Sequence, residues 1–359
     1  MCLACSNNID PAKQDAFASN LLDTFNKGMT TLLVSVGHRT GLFDIMSDGI
    51  PRTPAQLAAD AGLNERYVRE WLGGMVVSRI VERDPSRDTH TLPPEHAHWL
   101  SRKSPTANMA VFAQYLPTLG QVEDRIIDCF RNGGGVPYSA YARFHDVMAE
   151  DSGQSIVPII VEEIVPLIDG LHERLSQGID VLDVGCGRGL ALMRLAAHYP
   201  HSRFFGYDLS NEAIEYARNE AARRGLTNIT FEQRDLTHWN EPGRFDWITA
   251  LDAIHDQARP DLVLAAIRAA LKPGGVFFMQ DIDASSDPSK NLDHPLGALL
   301  YTISCMHCMT VSLAQGGMGL GAVWGVERAE KMLKEAGFPD VRIHRFEHDV
   351  QNAYFVMQT

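Results

Sequence analysis

The sequence is poor in cysteine, has fewer basic than acidic residues, and contains no long unbroken apolar run. Six cysteines among 359 residues are too few and too scattered for the disulfide framework of a small secreted domain. Lys and Arg number 32 against 45 Asp and Glu, a net charge of -13. Nucleic acid and anionic membrane surfaces both demand clustered positive charge, so neither is expected as a partner. No apolar run reads as long enough to cross a bilayer. The opening Met1-Cys2-Leu3-Ala4-Cys5-Ser6 has neither the basic nor the apolar region of a signal peptide. No internal repeat is visible. These absences point to a globular protein in a reducing, cytoplasmic setting.

What is present is a core-forming composition, 45% hydrophobic and 21% charged, in a chain long enough for two domains. Its organising stretch is Val181-Leu182-Asp183-Val184-Gly185-Cys186-Gly187-Arg188-Gly189. Val181, Leu182 and Val184 read as a buried parallel strand. Gly185, Gly187 and Gly189 allow a tight turn and a close approach to a ligand. The helix expected from Leu190 to His198 presents free N–H groups at its first turn. The dinucleotide fingerprint is G-x-G-x-x-G; here the third glycine comes one residue early, which argues against a pyrophosphate. Asp208 ends the next strand, where such folds bind ribose hydroxyls. Asp235-Leu236 follows a third strand, and Lys272-Pro273-Gly274-Gly275 precedes a fifth.

These four motifs, in this order, resemble class I S-adenosylmethionine-dependent methyltransferases. The resemblance implies an α/β, Rossmann-like fold with a mostly parallel seven-stranded sheet and an antiparallel last strand. S-Adenosyl-L-methionine is the cofactor it implies. Asp183 would reach the methionine amino group, directly or through water, and Gly185, Gly187 and Gly189 would give close approach. Asp208 would accept both ribose hydroxyls, since a carboxylate offers two acceptor oxygens. Leu209 would lie on one adenine face. Asp235 would accept from the adenine amino group, with Leu236 lining the base.

Upstream, the pattern from Pro11 to Gly37 is helical, with Phe17, Leu21, Leu22, Phe25, Met29, Leu32, Leu33 and Val36 at spacings of three and four. Such a face packs on its own domain or on a second subunit. His38 to Lys103 reads as a winged helix: Pro54 opens one helix, Asn64 caps the next, and a hairpin turns around Asp84-Pro85-Ser86. Nine Lys and Arg balance nine Asp and Glu there, so the basic footprint of a DNA-binding domain is missing. Small-molecule O-methyltransferases of secondary metabolism carry a similar N-terminal winged helix, and that resemblance implies a homodimer. The expected partition is 1–103 helical and winged-helix dimerisation domain, 104–178 helical linker covering the active site, and 179–359 cofactor-binding catalytic domain. Within the last, 284–322 reads as a lid insertion over the acceptor.

Acceptor chemistry is expected at three places. Tyr138, Tyr141, Phe144 and Met148 recur at helical spacing, as a core face or as an active-site wall; Tyr141 and Phe144 are the substrate candidates. Cys305-Met306-His307-Cys308-Met309 reads first as a soft apolar lid wall, with His307 a further substrate candidate. A zinc site shared with Cys2 and Cys5, and a pocket for a soft acceptor, are its other readings; no metal is expected. His255, after the fourth strand, matches the general base of the resembled enzymes. They hold that histidine between two carboxylates. One lies in G-x-E-R, which is Gly325-Val326-Glu327-Arg328 here, so Glu327 is the expected orienter. The other lies at the end of the fifth strand, where Gln280 stands and Asp281 points to the opposite face. The expected function is methyl transfer to a small-molecule oxygen acceptor. A thiol or other soft acceptor is the alternative within the class. A cofactor-sensing or DNA-binding winged-helix regulator is the alternative outside it.

Overall fold

The computed structural model describes residues 9–104 and 108–359. The chain forms two compact units that meet in sequence at Pro117 and Thr118. The break falls inside the segment expected to act as a linker, so that most of that segment belongs to the second unit.

In the first unit, Asp10 caps a helix from Pro11 to Arg39 through Ala12 N–H. A capping box between Thr53 and Gln56 starts Pro54–Ala61, and Gly62, at a φ of 64°, ends it. Two donors are satisfied reciprocally at that start. Asn64 accepts from Arg66 N–H and opens Glu65–Val77. Strands β1 (Glu82–Asp84) and β2 (Thr89–Thr91) pair antiparallel as the wing. Phe43, Leu57, Val68, Trp71, Leu72 and Met75 form the core.

The second unit is built on β3 (Asp180–Val184), β4 (Arg203–Asp208), β5 (Ile229–Gln233), β6 (Phe245–Leu251), β7 (Leu271–Ile282), β8 (Val341–His344) and β9 (Asn352–Gln358). Their order in the sheet is β5-β4-β3-β6-β7-β9-β8. The first five run parallel, while β9 lies antiparallel between β7 and β8. Alternate side chains feed two cores. Val181, Phe204, Trp247, Phe278 and Tyr354 pack on one face. Leu182, Tyr207, Ile248, Phe277 and Phe355 pack on the other. β3 has β4 on one side and β6 on the other, so the strand order reverses there. The carboxyl ends at that switch point open the crevice where such sheets bind ligands.

After β7 the chain forms helix Gly297–Ile303, a π-turn over Ser304–Cys308, and helix Met309–Ala314. This stretch amends one expectation. Gly297–Ala314 spans 18 residues at a mean hydropathy of 1.4, enough to cross a bilayer by length and composition alone. The Ser312 hydroxyl donates to Gln257 O at 2.8 Å, and Gly319 N–H donates back to that hydroxyl. The stretch is thereby tied to the loop after β6 as part of the folded unit.

Candidate functional site

The glycine loop follows β3, and two of its glycines are required by space as well as conformation. Gly185 has a φ of 69°, and a Cβ there would stand 2.5 Å from Ala253 Cβ. Gly189, at 68°, would drive a Cβ to 2.4 Å from the Phe231 ring. Helix Leu190–His198 starts directly after it. The Gly187 N–H donates to Asp208 Oδ2 at 2.8 Å, and the Ser210 N–H to Asp208 Oδ1 at 2.8 Å. Asp208 thus spans the loop and the next helix. Two of its roughly four lone-pair positions remain for a ligand. Burial pushes its carboxyl above the usual range. Asp183 is buried and accepts from the Thr249 hydroxyl at 2.7 Å. Burial, against that bond and with the Asp208 charge, pushes it up to about 7.

On the far side of Asp208, Leu209 is 52% exposed, an apolar side chain held beside a carboxylate. Asp235 is exposed and gives one oxygen to Thr237 N–H, while Leu236 is buried beneath it. Arg188 closes this side. It pairs with Asp146 and Glu212 at 2.6 Å each, and Glu212 also meets His145 Nδ1 at 2.7 Å. Arg188, His145 and Glu212 were not legible as a group, because they lie on three separate elements.

His255 follows β6 and is 4% exposed. Its Nδ1 lies 2.8 Å from Asp281 Oδ1. Asp281 is 1% exposed, and the same oxygen accepts the Trp324 indole N–H at 3.0 Å. Burial lowers the pKa of His255, but the Asp281 charge and the hydrogen bond to Asp281 outweigh it. The imidazole is held well above its ordinary value. Nδ1–H bonded to a carboxylate leaves Nε2 as the proton-accepting nitrogen.

This arrangement corrects the expected orienter. The Glu327 carboxylate accepts from Ser285 Oγ and Ser286 N–H, at 2.8 Å each, and lies exposed near Lys290. Those bonds, the Ser286 N–H first, pull it down to about 2. It fastens the start of helix Val326–Glu335 to the chain after β7. Gln280 and Asp281 do lie on opposite faces of β7, but His255 has turned onto the face of Asp281. Glu327→Gln is therefore expected to leave the His255 titration unmoved in a histidine NMR experiment, whereas Asp281→Asn lowers its pKa. A shift in the Glu327 variant alone would restore Glu327 as partner.

The three substrate candidates come together. His307 stacks on Phe144 with ring centroids 3.4 Å apart, and Tyr138 and Tyr141 meet it edge-on at 4.9 and 4.7 Å. The Tyr141 hydroxyl donates to Met306 O. His307 is 1% exposed and neither ring nitrogen has a partner. Burial, then the nearby His255 and His145, lowers its pKa well below the usual value, so it is neutral. Cys305 and Cys308 are free thiols, and Cys308 packs on Ile282 and Ala284 at the end of β7. Cys2 and Cys5, the other half of the zinc reading, lie outside the described residues. Among the described residues, no group of three or more His, Cys, Asp or Glu side chains is placed to hold a metal ion.

The strand order, the antiparallel β9, the glycine loop and the acid after β4 define the class I methyltransferase fold. Residues 175–337 match the model of a methyltransferase domain, and residues 28–102 that of an Rv2258c-like winged HTH domain. The ubiquinone biosynthesis O-methyltransferase of Coxiella burnetii is 34% identical over 128 residues, 35% of this chain and 49% of that protein. The (S)-coclaurine N-methyltransferase of Thalictrum flavum is 27% identical over 109 residues, 30% of each chain. The chain thus spans about half the length, or less, of these curated relatives. Among solved structures, a putative O-methyltransferase from Nostoc punctiforme superposes with a TM-score of 0.71 at 19% identity, over 95% of this chain and 98% of the other. Human N-acetylserotonin methyltransferase, solved in complex with SAM, gives 0.68 at 19% identity, over 98% and 99%. Those likenesses carry the fold across both units.

Proposed function

We propose that this protein is an S-adenosyl-L-methionine-dependent methyltransferase acting on an oxygen of a small molecule. The buried His255–Asp281 dyad, at the strand ends next to the glycine loop and Asp208, is the observation that carries this reading. The residues suit the cofactor. Asp183, Asp208 and Asp256 are buried or half-buried, and their bonds come from hydroxyl or amide groups. Burial, partly offset by His255, pushes Asp256 up to about 7. Carboxylates raised by lack of a counter-charge fit a cationic ligand. Asp208 would hold the ribose, Asp183 the amino-acid end, and Leu209, Asp235 and Leu236 the adenine.

When bound, the cofactor supplies an electrophilic methyl on its sulfonium. His255 Nε2 takes the proton of the acceptor hydroxyl, and Asp281 steadies the resulting imidazolium. Tyr141, Phe144 and His307 form the wall against which the acceptor is oriented, which is what an in-line displacement requires. The dyad supports oxygen over sulfur, because a thiol loses its proton nearer neutrality and needs a weaker base. Calorimetry with S-adenosylhomocysteine tests the reading. Saturable one-to-one binding is expected, and none would contradict it.

The winged helix serves assembly in this reading. Leu22, Phe25, Met29 and Val36 of helix Pro11–Arg39 are 64%, 57%, 64% and 46% exposed. With Leu32 they follow a three-four repeat, the seam of a helix that packs on another. A homodimer through this face is expected in the cytoplasm, where the free thiols stay reduced. Deleting residues 1–37 should give monomers or aggregates by light scattering. A monomeric intact protein at micromolar concentration would refute the dimer. The charge balance of this domain leaves the DNA-binding regulator without support.

A further inference from the structure

At the ends of β6 and β7, side-chain oxygens are buried without hydrogen-bond partners. They are Asp252 Oδ1, Gln280 Oε1 and, on the His255 side, Asp281 Oδ2. Gln280 is 2% exposed. Its amide nitrogen donates to Asp252 Oδ2 at 3.1 Å, and the Asp252 backbone N–H donates to Gln280 O at 3.0 Å. Side chains and backbones thus lock the two residues together. Asp252 has a φ of 51°, in the left-handed region. It lies three residues before His255.

A buried polar atom without a partner costs about 1–3 kcal/mol. Such groups persist where something else, a ligand included, satisfies them. Among the described residues, the charged groups that act most strongly on Asp252 are Asp281, His255, Asp151 from helix Phe144–Gln154, and Asp349 ahead of β9. His255 is committed to Asp281, and Asp349 is held by Asn352 Nδ2 and the Tyr354 hydroxyl. No Lys or Arg is among them. Unpartnered oxygens ringed by carboxyl groups call for a cationic donor, and a primary ammonium brings three N–H groups and one charge.

We propose that Asp252 and Gln280 form a subsite for a primary ammonium group carried by the methyl acceptor. The identity of the ligand rests on the methyltransferase reading above. Burial, and then the Asp281 charge, pushes the Asp252 carboxyl up to about 8, so it holds a proton at neutral pH. An arriving ammonium favours the ionised form, so binding releases that proton. Affinity therefore rises with pH up to about 8 and levels off above.

Two calorimetric pairs test this on the intact protein and on Asp252→Asn, in buffers of different ionisation enthalpy that count protons. One pair is S-adenosylhomocysteine and 5′-methylthioadenosine, which lacks the ammonium. The other is tyramine and 4-ethylphenol on protein saturated with S-adenosylhomocysteine. The substitution should weaken tyramine about tenfold or more, the scale of a lost charged hydrogen bond, and leave S-adenosylhomocysteine nearly unchanged. It should spare the ammonium-free partner and abolish proton release. Gln280→Met, which keeps the volume, should show the same pattern more weakly. A loss confined to tyramine supports the acceptor subsite; one confined to S-adenosylhomocysteine would return these residues to the cofactor site and overturn it. Equal effects within both pairs, or no effect in either, would overturn the subsite. Failure of both nucleosides to bind the unaltered protein would sink the methyltransferase reading itself.

Discussion

His255→Ala is expected to slow methyl transfer to an oxygen acceptor by about 10²–10⁴-fold, the usual cost of losing a general base. Affinity for S-adenosylmethionine should stay nearly unchanged, because the cofactor is proposed to sit on Asp208 and the glycine loop, which lie on other elements. The pH profile carries the sharper signature. The imidazole is held well above its ordinary pKa, chiefly by Asp281 working against burial. The neutral, active form therefore accumulates only as pH rises past the usual histidine value, and the rate should climb through that range. Asp281→Asn removes the carboxylate charge. Its rate should fall while the acid limb moves to lower pH. A His255→Ala enzyme at the wild-type rate would remove the base assignment. Retained rate with a thiol acceptor alone would move the reading to sulfur.

Asp208→Ala should weaken cofactor binding by about 1.5–3 kcal/mol, the range for hydrogen bonds to a charged group. The carboxylate does two things that one substitution removes. It bonds the Gly187 and Ser210 N–H groups, fixing the loop against the next helix, and in the proposed site its remaining lone pairs would accept from the ribose. Asp208→Asn separates the two roles. An amide oxygen can keep one backbone bond, but it cannot accept from both hydroxyls without the second oxygen. Calorimetry of a folded Asp208→Ala protein with undiminished affinity would remove this residue from the cofactor site.

The fold was legible because its signals are local. The Val181–Val184 apolar run, the glycines after it and the helix Leu190–His198 each follow from neighbouring residues. Asp208 was legible for the same reason, as an acid at a strand end a fixed distance on. The wing was readable from Asp84-Pro85-Ser86, and the starts of two winged-helix helices from Pro54 and Asn64. The base partner was not. Strict alternation along β7 placed Gln280 and Asp281 on opposite faces, but it cannot say to which face a residue beyond β6 turns. Asp252 decides that, by leaving the strand in a left-handed conformation that aspartate tolerates and that no pattern announces. Glu327 misled because its motif fixes a place at a helix start, where Ser285 and Ser286 claim it. The lid was readable as soft and apolar. The π-turn at Ser304–Cys308, which carries both His307 and Cys308, was not, since nothing in five consecutive side chains sets a wider turn apart from an α-helical one.

A crystal structure of the complex with S-adenosylhomocysteine is the most direct test of the central claim. The ribose hydroxyls should meet Asp208, the adenine should lie between Leu209 and Leu236, and the sulfur should face His255 Nε2 across the space walled by Tyr141, Phe144 and His307. A nucleoside bound away from Asp208, or a sulfur turned from His255, would contradict the account.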